Sequence, residues 1–445
     1  MDAARPVLAL EEWQSRTLEG VTLTPPERRL VARLQAEEHH RLGIDELRQG
    51  LRVTATSWVG VVRFEQFDLH ITPKLAGNNL GLLELIEFTT GLGALQRLPG
   101  ARELATEGSA LLDLIGLLLA DAAERLFNAG LYREYIEHDE DLPMVRGRIL
   151  VAEQVLRHFG RVDRVACRFD EHDFDVLDNR LVAAALRLCG RHVADEGVRR
   201  RVRIVQDLFE QICEPDQLDV VAARQMVSYH RLNDHYRDAH TLAWLVIDGL
   251  GVRDLFDPGG LSCFAFLLDM NALFERFVSL LVAKLLGARG YRVRSQYADR
   301  SIILTADTNR PYGRVVPDLL IDRPGPPQER LAVDVKYKLY DERRLAPDDL
   351  YQAFLYAYAF KVGGSPQGAR AVLIYPATRG LITATRLRVL PVSEPSSAEI
   401  TAVGIAIPAA LAEAKTARVG PVSEGLLKVL VGSPTAEPSS VSRAR

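Results

Sequence analysis

The stretch LAVDVKYKLYD, residues 331–341, has the apolar character of a buried strand but carries charges inside it. Because side chains alternate across a strand, Asp334 and Lys336 share one face while Val333 and Val335 share the other. One interpretation is an exposed edge strand, since alternate charges on an edge discourage aggregation. The other is that the charged face belongs to a chemical site, and the sequence around it bears on this choice.

The pattern around this strand predicts an α/β domain of ordinary size. Helical periodicity occurs in MNALFERFVSLLVAKLLGARG (270–290) and in PDDLYQAFLYAYAFKV (347–362). The remaining segments are typical of short strands: YRVRSQY (291–297), SIILTA (301–306), RVVPDLLID (314–322) and ARAVLIYP (369–376). The predicted fold class is therefore α/β, or α+β for the chain as a whole.

Length and composition indicate a globular protein with more than one domain. At 445 residues the chain is too long for one ordinary core, and 47% of its residues are hydrophobic. Its four cysteines lie far apart without a CxxC pair, which argues against a zinc knuckle or a disulfide framework. The sequence has no signal peptide and no run of about 18 uncharged apolar residues, so we expect a cytoplasmic protein without a membrane partner.

The net charge of −4 gives no general attraction to nucleic acid. A site for a polyanion would therefore need a local basic cluster. Arginine and lysine are concentrated at 199–203 and again at 284–294. Taken singly, each cluster is typical of a solvated helix face or turn.

Changes of pattern along the chain predict three regions and a tail. They are a smaller N-terminal α+β domain, a mainly helical middle region, the α/β domain and a disordered tail, at residues 1–125, 126–260, 261–415 and 416–445. The boundary before the α/β domain is placed at the turn-forming run DPGG, residues 257–260. Within the N-terminal domain, residues 57–77 are predicted to form a β-hairpin.

Four polar side chains of the α/β domain occur where the predicted elements could bring them together. Asp318 follows Pro317 at the start of one strand, and Glu275 interrupts an apolar helix. If that strand pairs with the strand of Asp334 and Lys336, the carboxylates converge and repel each other unless a cation neutralises them. Mg²⁺ suits such a set because it takes oxygen ligands and keeps waters for a substrate. The pattern indicates metal-assisted phosphodiester hydrolysis, with the lysine orienting the nucleophile or stabilising the transition state.

These residues resemble a known nuclease family. Pro317-Asp318 followed by Asp334-x-Lys336 is similar to the PD-(D/E)xK motif, in the form found in McrC, the nuclease subunit of McrBC-type modification-dependent restriction systems. The resemblance extends over about residues 50–400, and its supporting stretches are NALFERFV, VPDLLID, VDVKYK, DLYQAFLYAYAF and VLIYP, with ITPKL, VRGRI and FDVLDNRLVAAAL upstream. It implies that the last domain is restriction-endonuclease-like, with a mixed sheet flanked by helices.

The resemblance also implies roles for individual residues. Asp318 and Asp334 would be metal ligands, Glu275 a further acidic ligand, and Lys336 the catalytic lysine. Gln352 is similar to a glutamine that follows in many such nucleases, where its amide contacts the scissile phosphate or a metal-bound water; the alternative is a surface amide. The implied enzyme is a Mg²⁺-dependent endodeoxyribonuclease that also accepts Mn²⁺.

The chain has no GxxxxGK[ST] motif for binding a nucleotide, so any energy-driven movement must come from another polypeptide. The resemblance implies an AAA+ GTPase of the McrB type, which this chain would stimulate while docked through its N-terminal part. We expect the hairpin at 57–77 to belong to that docking domain. Cleavage of both DNA strands needs two active sites, so dimerisation through the nuclease domain is also expected.

Two other functions are compatible with the sequence. The chain could be an adaptor that stimulates the motor and binds nucleic acid while its nuclease site is vestigial. It could also be a repair or RNA nuclease of the same fold, because a fold and a motif fix the chemistry and not the substrate. In VRGRI, Gly147 either lets the backbone approach a phosphate or forms a turn whose arginines pair with EHDEDL just upstream.

Overall fold

The computed structural model describes residues 5–36, 40–92, 111–161, 163–250, 263–323, 329–361, 369–389, 398–416 and 418–431. Its helices and strands form four sheets with helices packed against them, which confirms the predicted α/β (α+β) class. The predicted boundary run at 257–260 lies outside the described residues.

The N-terminal region is an α+β unit. In chain order its elements are β1 (Val7–Glu11), β2 (Ser15–Glu19), α1 (Pro25–Ala36), β3 (Leu42–Leu47), β4 (Gly50–Ala55), β5 (Trp58–Arg63), β6 (Asp68–Thr72) and α2 (Asn79–Thr90). The predicted hairpin is present as the antiparallel pair β5–β6. Strand β5 is buried along nearly its whole length, because it lies in the interior of the sheet.

The middle region contains more helix than strand. Its elements are α3 (Leu111–Ala129), β7 (Glu134–Leu142), β8 (Arg148–Ile149), α4 (Val151–His158), β9 (Val165–Asp173), α5 (Leu177–His192), α6 (Glu196–Glu210), α7 (Val220–Met226) and α8 (Arg237–Leu250). Strands β7, β9 and β8 form an antiparallel sheet that the sequence did not predict. In VRGRI, Gly147 has a φ of +67° and lies against the backbone of β9, where a Cβ would be 2.3 Å from the carbonyl oxygen of Arg168.

The C-terminal region contains the sheet that carries the quoted strand. Its elements are β10 (Phe264–Asp269), α9 (Met270–Gly287), β11 (Arg292–Ser295), β12 (Leu319–Arg323), β13 (Glu329–Val335), α10 (Pro347–Ala359), β14 (Ala369–Pro376), β15 (Ile382–Val389), β16 (Ala398–Ile405), α11 (Ile407–Thr416) and α12 (Pro421–Val431). Six strands form a mixed sheet in the order β11-β12-β13-β14-β16-β15. The pairs β13–β14 and β14–β16 are parallel, and the other pairs are antiparallel.

Alternating side chains give this sheet two buried faces. Val333 and Val335 belong to the main hydrophobic core together with Phe277 of α9, while Ala332 packs in a second core with Ala357 of α10. By the alternation of the strand, Asp334 points to the α10 side of the sheet. The strand is therefore an interior strand with helices on both faces, and the edge-strand interpretation of Asp334 is wrong.

Strand β10 connects the C-terminal region with the N-terminal sheet. It pairs antiparallel with β5 in a sheet of order β1-β6-β5-β10, although the two strands lie on opposite sides of the predicted domain boundaries. One continuous hydrophobic core accordingly extends from Leu8 to Leu430. The boundaries at 125 and 260 remain predictions, but the units that they separate share a sheet and a core.

Two predictions of local structure are wrong. Residues 301–306 make a single isolated bridge, because the chain turns back at once and Pro311, opposite Leu304, has no N–H with which to extend a ladder. The predicted disordered tail at 416–445 contains helix α12, which begins at Pro421 and buries Val422 and Leu426 on one side. Residues 432–445 lie outside the described residues.

Candidate active site at the ends of strands β12 and β13

Asp318 and Asp334 lie at the same end of two neighbouring strands. In the antiparallel β12–β13 pair, Leu319 is opposite Val333, so the residue before Leu319 and the residue after Val333 meet. A hydrogen bond fixes this arrangement, since the backbone N–H of Val335 donates to Oδ2 of Asp318 at 2.7 Å. The predicted pairing of the two strands is therefore present.

Lys336 lies directly beside Asp334. Its Nζ is 3.1 Å from Oδ1 of Asp334, and its backbone N–H donates to the carbonyl of Ile374 in β14 at 2.9 Å. The regular strand β13 ends at Val335, one residue earlier than the lysine. The Asp334 side chain is 1% exposed and that of Lys336 21%, so the ammonium group borders solvent while the carboxylate does not.

Glu275 reaches the cluster from helix α9, on the opposite face of the sheet from Asp334. It does not touch Asp318 directly, because the side chain of Gln296 bridges them. Nε2 of Gln296 donates to Oε1 of Glu275 at 2.5 Å and to Oδ1 of Asp318 at 3.3 Å. Gln296 has a φ of +50° and its backbone N–H donates to the carbonyl of Asp318, so its position is fixed at both ends.

The electrostatics of the cluster follow from burial and from like charges. Burial raises the pKa of Asp334, and the neighbouring Asp318 raises it further against the opposing effect of Lys336. Burial and Asp318 raise the pKa of Glu275 in the same way. Burial lowers the pKa of Lys336, but the carboxylates beside it outweigh that effect and the net shift is upward. Excess negative charge is thus concentrated next to a lysine that remains protonated.

A cation would be stabilised at this position. Oδ2 of Asp334 is buried and, among the described residues, has no hydrogen-bond partner, which is costly for a carboxylate. A hard divalent ion would satisfy it, and oxygen ligands are the ones that Mg²⁺ prefers. In the described residues, however, no three His, Cys, Asp or Glu side chains are already arranged as a set of metal ligands. The Gln296 amide lies between two of the expected ligands instead.

Gln352 is connected to the cluster only indirectly. It lies on α10, and its Nε2 donates to the hydroxyl of Tyr356 at 2.7 Å, which in turn donates to the carbonyl of Val316 at 2.8 Å. Asp318 follows two residues after Val316. Gln352 therefore connects through Tyr356 to the segment that carries Asp318, which it can stabilise.

The sequence interpretation missed Gln296. It lies just after β11 but inside the strand predicted at 291–297, where a polar residue gives no signal of a site. The basic clusters are largely occupied by intramolecular contacts, as the simpler interpretation expects. Arg201 pairs with Glu124, Arg294 pairs with Asp322, and Lys284 donates to the carbonyl of Ala414.

The arginines near Gly147 do not use the upstream acidic run as predicted. Arg146 pairs with Glu171 of β9, 3.2 Å away. It is Arg168, in β9 itself, that pairs with Asp139 of the upstream run, at 2.6 Å. The glycine is explained by its close approach to the β9 backbone.

The fold and the site define a class: an α/β protein in which a helix-flanked mixed sheet holds carboxylates and a lysine at the ends of adjacent strands. Within that class, the chain matches the family model described as McrBC 5-methylcytosine restriction system component over residues 53–376, more than half of its 445 residues. The chain belongs to this McrBC family.

Individual relatives agree with this family. The Type IV methyl-directed restriction enzyme EcoKMcrBC of Escherichia coli (strain K12) is 29% identical over 105 residues, which are 24% of this chain and 30% of that protein. The chain therefore matches less than a third of the length of that relative.

A solved structure shares the fold. One chain of a half-complex from a tetradecameric assembly of Thermococcus gammatolerans McrB AAA+ hexamers with bound McrC is 19% identical, with a TM-score of 0.57 and coverage of 89% of this chain and 94% of that chain. A chain of the McrBC complex of the same organism is 20% identical, with a TM-score of 0.45 and coverage of 63% and 88%. Of the helices that the structure describes, none is both long enough and apolar enough to cross a membrane.

Proposed function

We propose that this chain is the McrC-type subunit of a restriction system and a metal-dependent endodeoxyribonuclease. The observation that carries the proposal is the meeting of Asp318, Asp334 and Lys336 at one end of the sheet, with Glu275 joined to them through Gln296. A structural ion pair would need only Asp334 and Lys336. It would not account for two further carboxylates or for the buried, unpaired oxygen of Asp334.

In the proposed reaction, Asp334, Asp318 and Glu275 would hold Mg²⁺ or Mn²⁺. When bound, such an ion would supply Lewis-acid polarisation of a phosphate and activation of water. The chain itself supplies the charge of Lys336, which Asp334 holds at the solvent boundary, where it can orient the nucleophile or stabilise negative charge developing on the phosphate. The backbone N–H of Lys336 donates to the carbonyl of Ile374, and that of Val335 donates to the carboxylate of Asp318. These two hydrogen bonds keep Lys336 and Asp318 in place, so neither has to rearrange.

Cleavage of plasmid and of methylated DNA, with and without the motor partner, tests the active site. We expect Lys336→Ala and Asp334→Asn to reduce cleavage by about a thousandfold, because each removes a charge that acts on the reacting phosphate or on its metal. Lys361→Ala is the matched control, since it removes an exposed lysine elsewhere on the same domain. Full cleavage by both active-site variants would refute the proposed site.

The second candidate is an adaptor that stimulates a motor and binds nucleic acid without cutting it. The absence of three preassembled ligands among the described residues favours this candidate. Titration of the wild-type chain with Mg²⁺ and Mn²⁺ in a calorimeter separates the two functions. The nuclease requires binding that Asp334→Asn weakens, whereas a wild-type chain that binds neither ion is the adaptor.

The partner in this proposal is an AAA+ GTPase of the McrB type, and the chain stimulates its hydrolysis. The predicted docking hairpin at 57–77 offers little surface, because β5 is buried between β6 and β10. Helix α4 offers more, since Val155 and Leu156 are exposed on this short amphipathic helix and Phe159 is exposed directly after it. Exposed apolar patches mark contact surfaces, so we assign this patch to the motor.

Charged substitutions distinguish the patch from the hairpin. Leu156→Glu and Phe159→Glu should abolish stimulation of the motor while leaving the fold unchanged, because both side chains are 84% exposed. Ile204→Glu, an equivalent change at an exposed position of α6, is the control and should leave stimulation intact. Full stimulation by both α4 variants would exclude this surface.

A further inference from the structure

Tyr337 connects the end of strand β13 with the N-terminal sheet. It directly follows Lys336 in the sequence and is 3% exposed. Its hydroxyl donates to Oε2 of Glu12 at 2.9 Å, a contact across 325 positions of the chain. Its ring lies between those of Trp13 and Phe274, with a centroid distance of 5.5 Å to each. The side chain is therefore held by the N-terminal region on one side and by helix α9 on the other.

Glu12 is a buried carboxylate at the end of β1. Its side chain is 1% exposed, and burial raises its pKa to about 7. Oε2 accepts hydrogen bonds from the backbone N–H of Lys74 and from Tyr337, while Oε1 has no partner among the described residues. Burying a carboxylate with one unpaired oxygen lowers the free energy of unfolding, and an apolar pair of similar shape would pack at least as well. Stability alone therefore does not account for this contact.

The contact lies one residue away from two members of the proposed active site. Tyr337 is bonded to Lys336 along the backbone, and Phe274 precedes Glu275. A second link joins the same regions, since Nζ of Lys74 is 3.4 Å from Glu342. Because a displacement of about 1 Å in a catalytic group can cost about a hundredfold in rate, the anchoring of Tyr337 controls how well Lys336 is placed.

We propose that Glu12 and Tyr337 are positioning residues, through which the N-terminal sheet holds Lys336 in its reactive position. This inference rests on the proposed nuclease function. It adds that nuclease geometry depends on a hydrogen bond from the N-terminal sheet, so a shift of that sheet relative to β13 alters cleavage.

Tyr337→Phe tests the inference because it removes the hydroxyl and keeps the ring between its aromatic neighbours. We expect the single-turnover rate of DNA cleavage, at saturating DNA with Mg²⁺ and the motor, to fall about tenfold. The Kd for DNA should not change, since the hydroxyl is buried. Tyr375→Phe is the matched control, because Tyr375 is a buried tyrosine of the same sheet whose hydroxyl bonds Thr383 and not the N-terminal sheet. It should cleave like the wild type.

The double variant Glu12→Leu with Tyr337→Phe separates positioning from folding. Removing the carboxylate and the hydroxyl together should restore the part of the stability against urea that Tyr337→Phe loses by leaving the carboxylate without this donor, while the backbone N–H of Lys74 loses its acceptor. In a positioning role the cleavage rate of this double variant stays low. Recovery of the rate together with stability, or wild-type cleavage by Tyr337→Phe, overturns the inference. If the wild type and Tyr375→Phe also fail to cleave under every condition, the proposed nuclease function has failed, which is a different result.

Discussion

His240 is a fully buried histidine whose ring bonds the carbonyl of Asp178 and the hydroxyl of Tyr229. Burial lowers its pKa from 6.5 to about 4. Between these values the unfolded chain binds a proton that the folded chain does not, so stability is lost as pH falls from 6.5 towards 4. The loss attributable to this one residue is about 3 kcal/mol.

We therefore expect His240→Gln to flatten the dependence of unfolding free energy on pH across this window. Urea unfolding at pH values from 7 to 4 measures this dependence. The readout is the slope of unfolding free energy against pH, because the substitution also changes the absolute stability. His172→Gln, at an exposed histidine, should keep the wild-type slope. An unchanged slope for His240→Gln would contradict the assignment.

Gln352 provides a second prediction at this scale. Its amide bonds Tyr356, with no hydrogen bond to the carboxylates or the lysine of the site. We expect Gln352→Ala to lower the cleavage rate by no more than about tenfold, far less than the loss from Asp334→Asn. Tyr356→Phe should have a similar effect, because it breaks the same chain of hydrogen bonds to Val316. A thousandfold loss for Gln352→Ala would mean that its amide moves to contact the phosphate.

At the scale of elements, the pairing of β5 with β10 depends on Gly60. This residue has a φ of +144°, and a Cβ built on it would lie 2.0 Å from the carbonyl oxygen of Phe266. The contact is with backbone that has no room to move, since β10 is hydrogen-bonded along its length. The glycine thus permits the join between the N-terminal sheet and the strand that leads into α9.

Gly60→Ala should destabilise the protein by about 3 kcal/mol or more, through backbone strain and a displaced strand. Gly77→Ala is the control, because Gly77 also has a positive φ, +91°, but no atom lies within 4 Å of the added Cβ. It should cost about 1 kcal/mol. Equal destabilisation by the two variants, measured by urea unfolding, would show that the close approach to Phe266 is unimportant.

The elements show which local structure a sequence can predict. Helices α9 and α10 and strands β12 to β14 were expected from periodicity, because half-buried faces repeat within a short segment. Strands β7 and β9 were not, since β7 is polar with no buried residue and β9 is buried only in its first half, so neither carries such a repeat. Residues 301–306 have a strand-like composition but no partner strand to pair with.

At the scale of the whole molecule, the main core and the β5–β10 pair join the N-terminal region to the region that carries the six-stranded mixed sheet. A chain that starts near residue 130 would lose β5, β6 and Glu12, leaving β10 and Tyr337 without their partners. We expect such a truncated chain to lack a cooperative thermal transition and to aggregate, because it exposes apolar surface and an unpaired strand.

Calorimetry of the full chain and circular dichroism of the truncated chain measure whether each has a cooperative thermal transition. A truncated chain that melts cooperatively within a few degrees of the full chain would contradict the shared core. If the prediction holds, loss of motor stimulation on truncation carries no information about docking, and the α4 point variants are the better test.

The sequence by itself determined the α/β class, helices α9 and α10, strands β11 to β14 and the candidate residues Asp318, Asp334 and Lys336. These depend on short-range periodicity and on motif spacing, which are properties of a segment. The tertiary structure alone decided that Gln296 bridges Glu275 and Asp318, that β10 completes the N-terminal sheet, and that Glu12 anchors Tyr337. Those contacts join residues up to 325 positions apart. The packing of the whole core fixes which residues meet, and this leaves no local pattern in either segment.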